Sequence, residues 1–213
     1  MKTNVPQTLL SFECANPVWG VSLNPYSKNH TPGGSSGGEA AILAMDGAAL
    51  GWGSDIGGSL RIPAHYCGIY SLKPGYGRIP NSNNSCTYDS IIDTGLSLNV
   101  QLLAIDPGFK NVPTVNGPMG RGIEDLEIAA RAVIGKQGSG KSYFPAPIPY
   151  RDVQLPEKLK FGYYLMDGLV KASPACKRAV LETVEALRRE GHECVEFDVP
   201  SREAHISDRI FLV

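Results

Sequence analysis

Two glycine-rich runs constrain this chain more than any other feature: Thr31-Pro-Gly-Gly-Ser35-Ser36-Gly-Gly-Glu39 and Ser54-Asp55-Ile56-Gly57-Gly58-Ser59-Leu60-Arg61. Glycine has no Cβ and enters φ > 0 without steric penalty, so such runs form tight loops, not element interiors. Each loop carries a serine, Ser35 and Ser59, 24 residues apart. Between them Glu39-Ala-Ala-Ile-Leu-Ala-Met45 is rich in helix formers. Gly47-Ala-Ala-Leu-Gly-Trp52 then reads as a short strand of small residues. The predicted order is loop, helix, strand, loop.

A serine hydroxyl is a weak nucleophile. It needs a base beside it and hydrogen-bond donors for the oxyanion that forms when it attacks a carbonyl. Two serines in glycine loops read as a nucleophile and its proton relay. In Ile56-Gly57-Gly58-Ser59 the glycines let successive N–H groups turn towards one point, which is an oxyanion-hole design.

On these two loops, in this order and at this spacing, the chain resembles the amidase signature family, whose hallmark is a Ser–cis-Ser–Lys triad. The stretch from Met1 to Phe12 and the Asn24-Pro-Tyr segment look most like the eukaryotic branch of fatty acid amide hydrolases and fungal acetamidases. The resemblance implies that Ser59 is the nucleophile and Ser35 the bridging serine, with a cis peptide bond between Gly34 and Ser35. It also implies an oxyanion hole from the N–H groups of Ile56, Gly57, Gly58 and Ser59. Ser36, Asp55 and Arg61 take supporting hydrogen-bond or ion-pair roles. Leu9 and Phe12 fall either in an acyl-chain pocket or in the core, with the core reading favoured.

The fold implied is α/β: part of the amidase signature fold, a mixed sheet flanked by helices, incomplete at both ends. Residues 1–200 read as a partial domain, with an atypical insertion at about 81–107 and an unassigned tail at 201–213. The family's base is a lysine well upstream of the first serine. Lys2 lies in a stretch that the family places after that lysine, and Lys28 lies in the loop leading to Ser35. A lysine acts as a base only when apolar surroundings lower its pKa, which suits a buried strand end better than a loop. The expectation is therefore an amide hydrolase, working through an acyl-enzyme, that is impaired in this chain for want of its lysine. The alternative is a noncatalytic amidase-like protein that keeps the fold.

Composition sets the remaining bounds. A net charge of −1 and a pI near 6.4 give no electrostatic reason to expect nucleic acid or an anionic membrane, and suit a neutral small amide substrate. No run approaches 18 apolar residues and no signal-peptide pattern opens the chain, so an intracellular, cytoplasmic setting is expected. Membrane association and oligomeric state are left open. Cys14, Cys67, Cys86, Cys176 and Cys194 form no CxxC pair, and the four histidines are scattered. They read as reduced thiols, Cys67 packed in the core, with neither metal nor cofactor.

Gly135-Lys-Gln-Gly-Ser-Gly-Lys141-Ser142 matches the phosphate-binding G-x-x-x-x-G-K-[ST] pattern. A working P-loop follows a strand and opens a helix. Here a helical pattern over 123–134 precedes it and Pro145, Pro147 and Pro149 follow, so an ordinary loop is expected. Further on, the pattern predicts a strand over 158–165, a helix over 174–190 capped by Ser173 and closed by Gly191, and a strand over 193–197. Together these make a parallel β-α-β unit.

Overall fold

The computed structural model describes residues 2–7, 9–79, 114–135, 148–168 and 170–199. They divide into two compact units, one running to Arg151 and one from Asp152. The predicted insertion at 81–107, the tail at 201–213 and the P-loop-like residues from Lys136 onward lie outside the described residues.

The first unit opens with a hairpin of β1 (Ala15–Asn16) and β2 (Gly20–Val21). Asn16 closes it by accepting the N–H groups of Val18 and Trp19 on Oδ1, at 3.0 and 2.8 Å. Helix α1 (Gly37–Ala44) follows the first glycine loop directly. Strand β3 (Leu50–Asp55), helix α2 (Arg61–Cys67), strands β4 (Tyr70–Ser71) and β5 (Val115–Gly120), and helix α3 (Ile123–Val133) complete the unit. The sheet order is β3-β5-β4 and both pairings are antiparallel, with Asp55 opposite Val115 and Tyr70 opposite Gly120.

Strand β3 starts three residues later than the predicted 47–52 and runs on to Asp55. The reason is the end of α1: Asp46, at φ 59°, and Gly47 send their N–H groups back to Leu43 and Ile42, so the turn takes the residues expected to open the strand. Helix α2 has no counterpart in the sequence reading. Its Pro63 falls in the first turn, where an N–H would have no intrahelical acceptor in any case.

Ala40, Leu43, Leu60, Ala64, Cys67 and Met119 form one buried cluster contributed by α1, α2, β5 and the second glycine loop. Leu43, Leu60 and Met119 are fully enclosed, and burying each side chain stabilises by about 1.5–3 kcal/mol. Leu60 is the residue after Ser59, so the main core anchors the second loop from within.

In the second unit β6 (Lys160–Tyr163) pairs in parallel with β7 (Glu193–Glu196), and α4 (Pro174–Arg189) connects them. This is the predicted β-α-β unit, its first strand shorter than the predicted 158–165. Ser173 Oγ accepts the Cys176 N–H at 3.2 Å, and Pro174 opens the helix as expected. Among the described residues no helix is long and apolar enough to cross a membrane.

Candidate active site

Every residue of the first loop from Pro32 to Gly38 is buried. The Gly34–Ser35 peptide is cis. Glycine at 34 is required by close approach, since a Cβ there would lie 2.3 Å from the Glu13 carbonyl oxygen and 2.4 Å from that of Ser11. The segment before the hairpin therefore wraps the loop with its backbone.

The second loop hangs on Asp55, the last residue of β3, which is 1% exposed. Its Oδ1 accepts from Gly58 N–H at 2.9 Å and Arg61 Nη2 at 3.0 Å; its Oδ2 accepts from Leu60 N–H at 3.0 Å and Arg61 Nε at 3.1 Å. Burial alone would push this carboxyl up. The hydrogen bonds from Arg61, Leu60 and Gly58, together with the Arg61 charge, outweigh burial and hold it below its ordinary value. Arg61 is raised in turn, chiefly by its hydrogen bonds to Asp55. Gly58 sits at φ +126°, a conformation open to glycine, and this turns its N–H towards Asp55.

The two loops touch directly. Ser36 N–H donates to the Ser59 carbonyl at 3.2 Å. Ser35, Ser36 and Ser59 are 3%, 6% and 6% exposed, so the fold gathers all three expected serines at a buried junction. The Ser35 and Ser59 hydroxyls make no hydrogen bond among the described residues, to each other or to anything else.

The geometry departs from the sequence reading at two points. Of the four N–H groups expected to face an oxyanion, that of Gly58 is taken by Asp55. Those of Ile56, Gly57 and Ser59 have no acceptor among the described residues. Of the two residues favoured for the core, Leu9 is buried, at φ 58°, but Phe12 is 55% exposed because its neighbours meet Gly34 through their carbonyls. The sequence reading did not foresee that Asp55 would gather four donors. The signal available was an aspartate just ahead of two glycines, residue types that favour turns in which a carboxylate accepts nearby backbone N–H groups.

Among the described residues no lysine bonds to either serine. Lys2 donates to the Thr3 carbonyl, and burial lowers its pKa against the opposing pull of Glu39 and Cys14; Lys28 is exposed. Cys67 is fully buried, with its thiol 3.5 Å from the Pro32 carbonyl. Burial first, and Cys14 second, push that thiol up to about 11, which makes it a packed group and not a nucleophile. No group of three or more His, Cys, Asp or Glu placed to hold a metal occurs among the described residues.

Buried serines on glycine loops, set over an antiparallel sheet with helices against it, define an α/β protein of the amidase type, and the comparisons agree. The family described as Amidase matches residues 1–213, and the chain belongs to it. It is 35% identical to the vitamin D3 hydroxylase-associated protein of Gallus gallus over 99% of this chain and 42% of that protein. It is 35% identical to the acetamidase of Emericella nidulans over 90% of this chain and 33% of that protein. A solved fatty acid amide hydrolase superposes with a TM-score of 0.76 at 36% identity, covering 95% of this chain and 33% of that one. The chain thus spans between 33% and 42% of the length of these relatives.

Proposed function

We propose that this chain carries the nucleophile half of an amide hydrolase, which converts a carboxamide and water to a carboxylate and an amine or ammonia. The observation that carries the reading is the junction itself: Ser35, after a cis peptide, and Ser59, beside three unoccupied N–H groups, are joined through Ser36 and the Ser59 carbonyl. Ser59 Oγ attacks the amide carbon as its proton passes to Ser35 Oγ, which hands its own proton to a base, and the base returns a proton through Ser35 to the leaving nitrogen. The carbonyl oxygen takes the negative charge and lies against the N–H groups of Ile56, Gly57 and Ser59. Collapse of this intermediate breaks the C–N bond and the amine leaves with a proton. Water then attacks the acyl-Ser59 ester and releases the carboxylate.

The relay needs a hydrogen bond between the two hydroxyls that is open here. Catalytic hydrogen bonds commonly tighten only when substrate is bound. It also needs a base beyond Ser35, and among the described residues no lysine bonds to either serine. We therefore propose that the acylation step is slow in this chain. The test is amine release from a panel of linear carboxamides by the 213-residue chain and its Ser59→Ala variant. A weak activity lost in the variant supports the reading. Equal activity in both removes Ser59 as the nucleophile. No activity in either favours the noncatalytic amidase-like alternative, which the open hydroxyl pair also suits.

A further inference from the structure

We infer that Asn24 is a positioning residue for the serine pair, an amide clamp that holds the two loops in register from the far side of the junction; this rests on the reading of Ser59 and Ser35 given above. The Asn24 side chain is enclosed, the residue being 8% exposed. Its two amide protons go to two different segments. Nδ2 donates to the Thr31 carbonyl at 3.2 Å, where the first glycine loop begins, and to the Tyr66 carbonyl at 2.9 Å, in the last turn of α2. Oδ1 accepts the Tyr26 N–H at 3.0 Å, and the Asn24 N–H donates to His30, so the turn over 24–30 is pinned as the clamp's base.

Helix α2 starts two residues after Ser59, and Thr31 stands four residues before Ser35. Each amide proton therefore fixes one end of a short lever that carries a serine. Between the ends the lever lies flat: a Cβ at Gly33 would come within 2.9 Å of Pro63 Cα, and the Cys67 thiol meets the Pro32 carbonyl. On the site side the levers meet in the single bond from Ser36 N–H to the Ser59 carbonyl. Asn24 and that bond are the two ends of one coupling. Loss of the Asn24 donors frees α2 to slide against the first loop, and the Ser36 bond opens more often.

Asn24→Asp keeps the size and the Oδ1 acceptor but replaces both donors with an oxygen facing two carbonyls. The experiment uses the 213-residue chain and two readouts. Hydrogen exchange at the Ser36 N–H reports the coupling whatever the chemistry, with the amides of α3 as the measure of intact folding. The rate at which a fluorophosphonate probe labels Ser59 reports its consequence. We expect Ser36 exchange to rise at least tenfold while α3 is unchanged. The maximal labelling rate should fall by a similar factor, with the half-saturating probe concentration held. If the aspartate variant also loses protection in α3, Asn24→Ser, which retains one donor, is read in the same way.

Ser36 exchange within twofold of wild type in a folded variant overturns the clamp. So does unchanged labelling in a chain whose wild type is labelled. Wild-type chain that does not label at Ser59, combined with faster Ser36 exchange in the variant, favours the noncatalytic alternative for this chain and leaves the clamp standing.

Discussion

Around the serines, seven consecutive residues from Pro32 to Gly38 are buried, and the neighbours they touch are largely backbone: the carbonyls of Ser11 and Glu13, the Asn4 peptide, the Pro63 main chain. Along α4, sixteen residues long, only Val184 is buried, while Leu181, Val195 and Phe197 in the same unit are each more than two-fifths exposed. The first region is held by main chain packed on main chain, which glycine alone permits. The second is held by local signals: a cap, a helix pattern and one parallel strand pair. The first arrangement places atoms closely and tolerates no added volume, whereas the second tolerates substitution because each interaction is small and faces water.

The comparison breaks first if Gly34→Ala is tolerated. The new methyl would sit 2.3 Å from one carbonyl oxygen and 2.4 Å from another, and neither is the end of a flexible side chain. Relief requires the 11–13 segment to move as a body. A loss of about 3 kcal/mol or more is expected, read as a fall in the urea midpoint of the first unit. In the second unit a Cβ at Gly168 meets nothing within 4 Å, and only its φ of +85° opposes substitution. A midpoint for Gly34→Ala within experimental error of wild type would mean that the loop is not built on backbone contact.

Asp55→Asn probes the same region through charge. The amide keeps the shape of the carboxylate but loses an acceptor for one backbone N–H and one Arg61 N–H, and it removes the charge that pairs with Arg61. The Arg61 side chain is 56% exposed, so water replaces part of the lost ion pair. The expected cost is about 2–3 kcal/mol near neutral pH. The pH dependence has a definite sign. The folded-state pKa of Asp55 is depressed, so its contribution is present in full above the unfolded-state value of about 3.9 and declines as the pH falls through that value towards the folded one. The gap between wild type and variant in denaturant midpoint should therefore close in acid. A gap that stays constant from pH 7 to pH 3 would show that Asp55 acts through packing and not through its charge.

These two sites also show what could be read from sequence. The glycine loops were legible because glycine's missing Cβ is a local property that announces itself wherever it clusters. Helix α4 was legible from Ser173, Pro174 and Gly191 for the same reason. Helix α2 was not: Arg61-Ile-Pro-Ala-His-Tyr-Cys67 has little helix propensity, and it is helical because Ala64 and Cys67 enter the cluster around Leu43 and Met119. The occupied Gly58 N–H and the exposure of Phe12 depend on where the end of β3 and the wrapping segment stand in space. Nothing local marked Asn24 for its role, since the two carbonyls that its amide binds stand seven and forty-two residues away.

The smallest effect tests the second region on its own terms. Ser173→Ala removes the one side-chain bond at the start of α4, from the Cys176 N–H to Ser173 Oγ at 3.2 Å. Nothing else in that turn replaces it, since Pro174 has no N–H and the first turn holds no acidic residue to favour the helix dipole. The expected cost is about 1 kcal/mol, or roughly fivefold faster hydrogen exchange in the first turn of α4. Protection at Val184 should change less, because that residue is held by its burial. If the whole helix loses protection in proportion, the cap and the single buried contact form one cooperative structure, and the second unit is tied together more tightly than its exposed face suggests. If only the first turn responds, α4 is a string of small local interactions, the opposite of the loop around Ser35, where one added methyl group is expected to displace a whole segment.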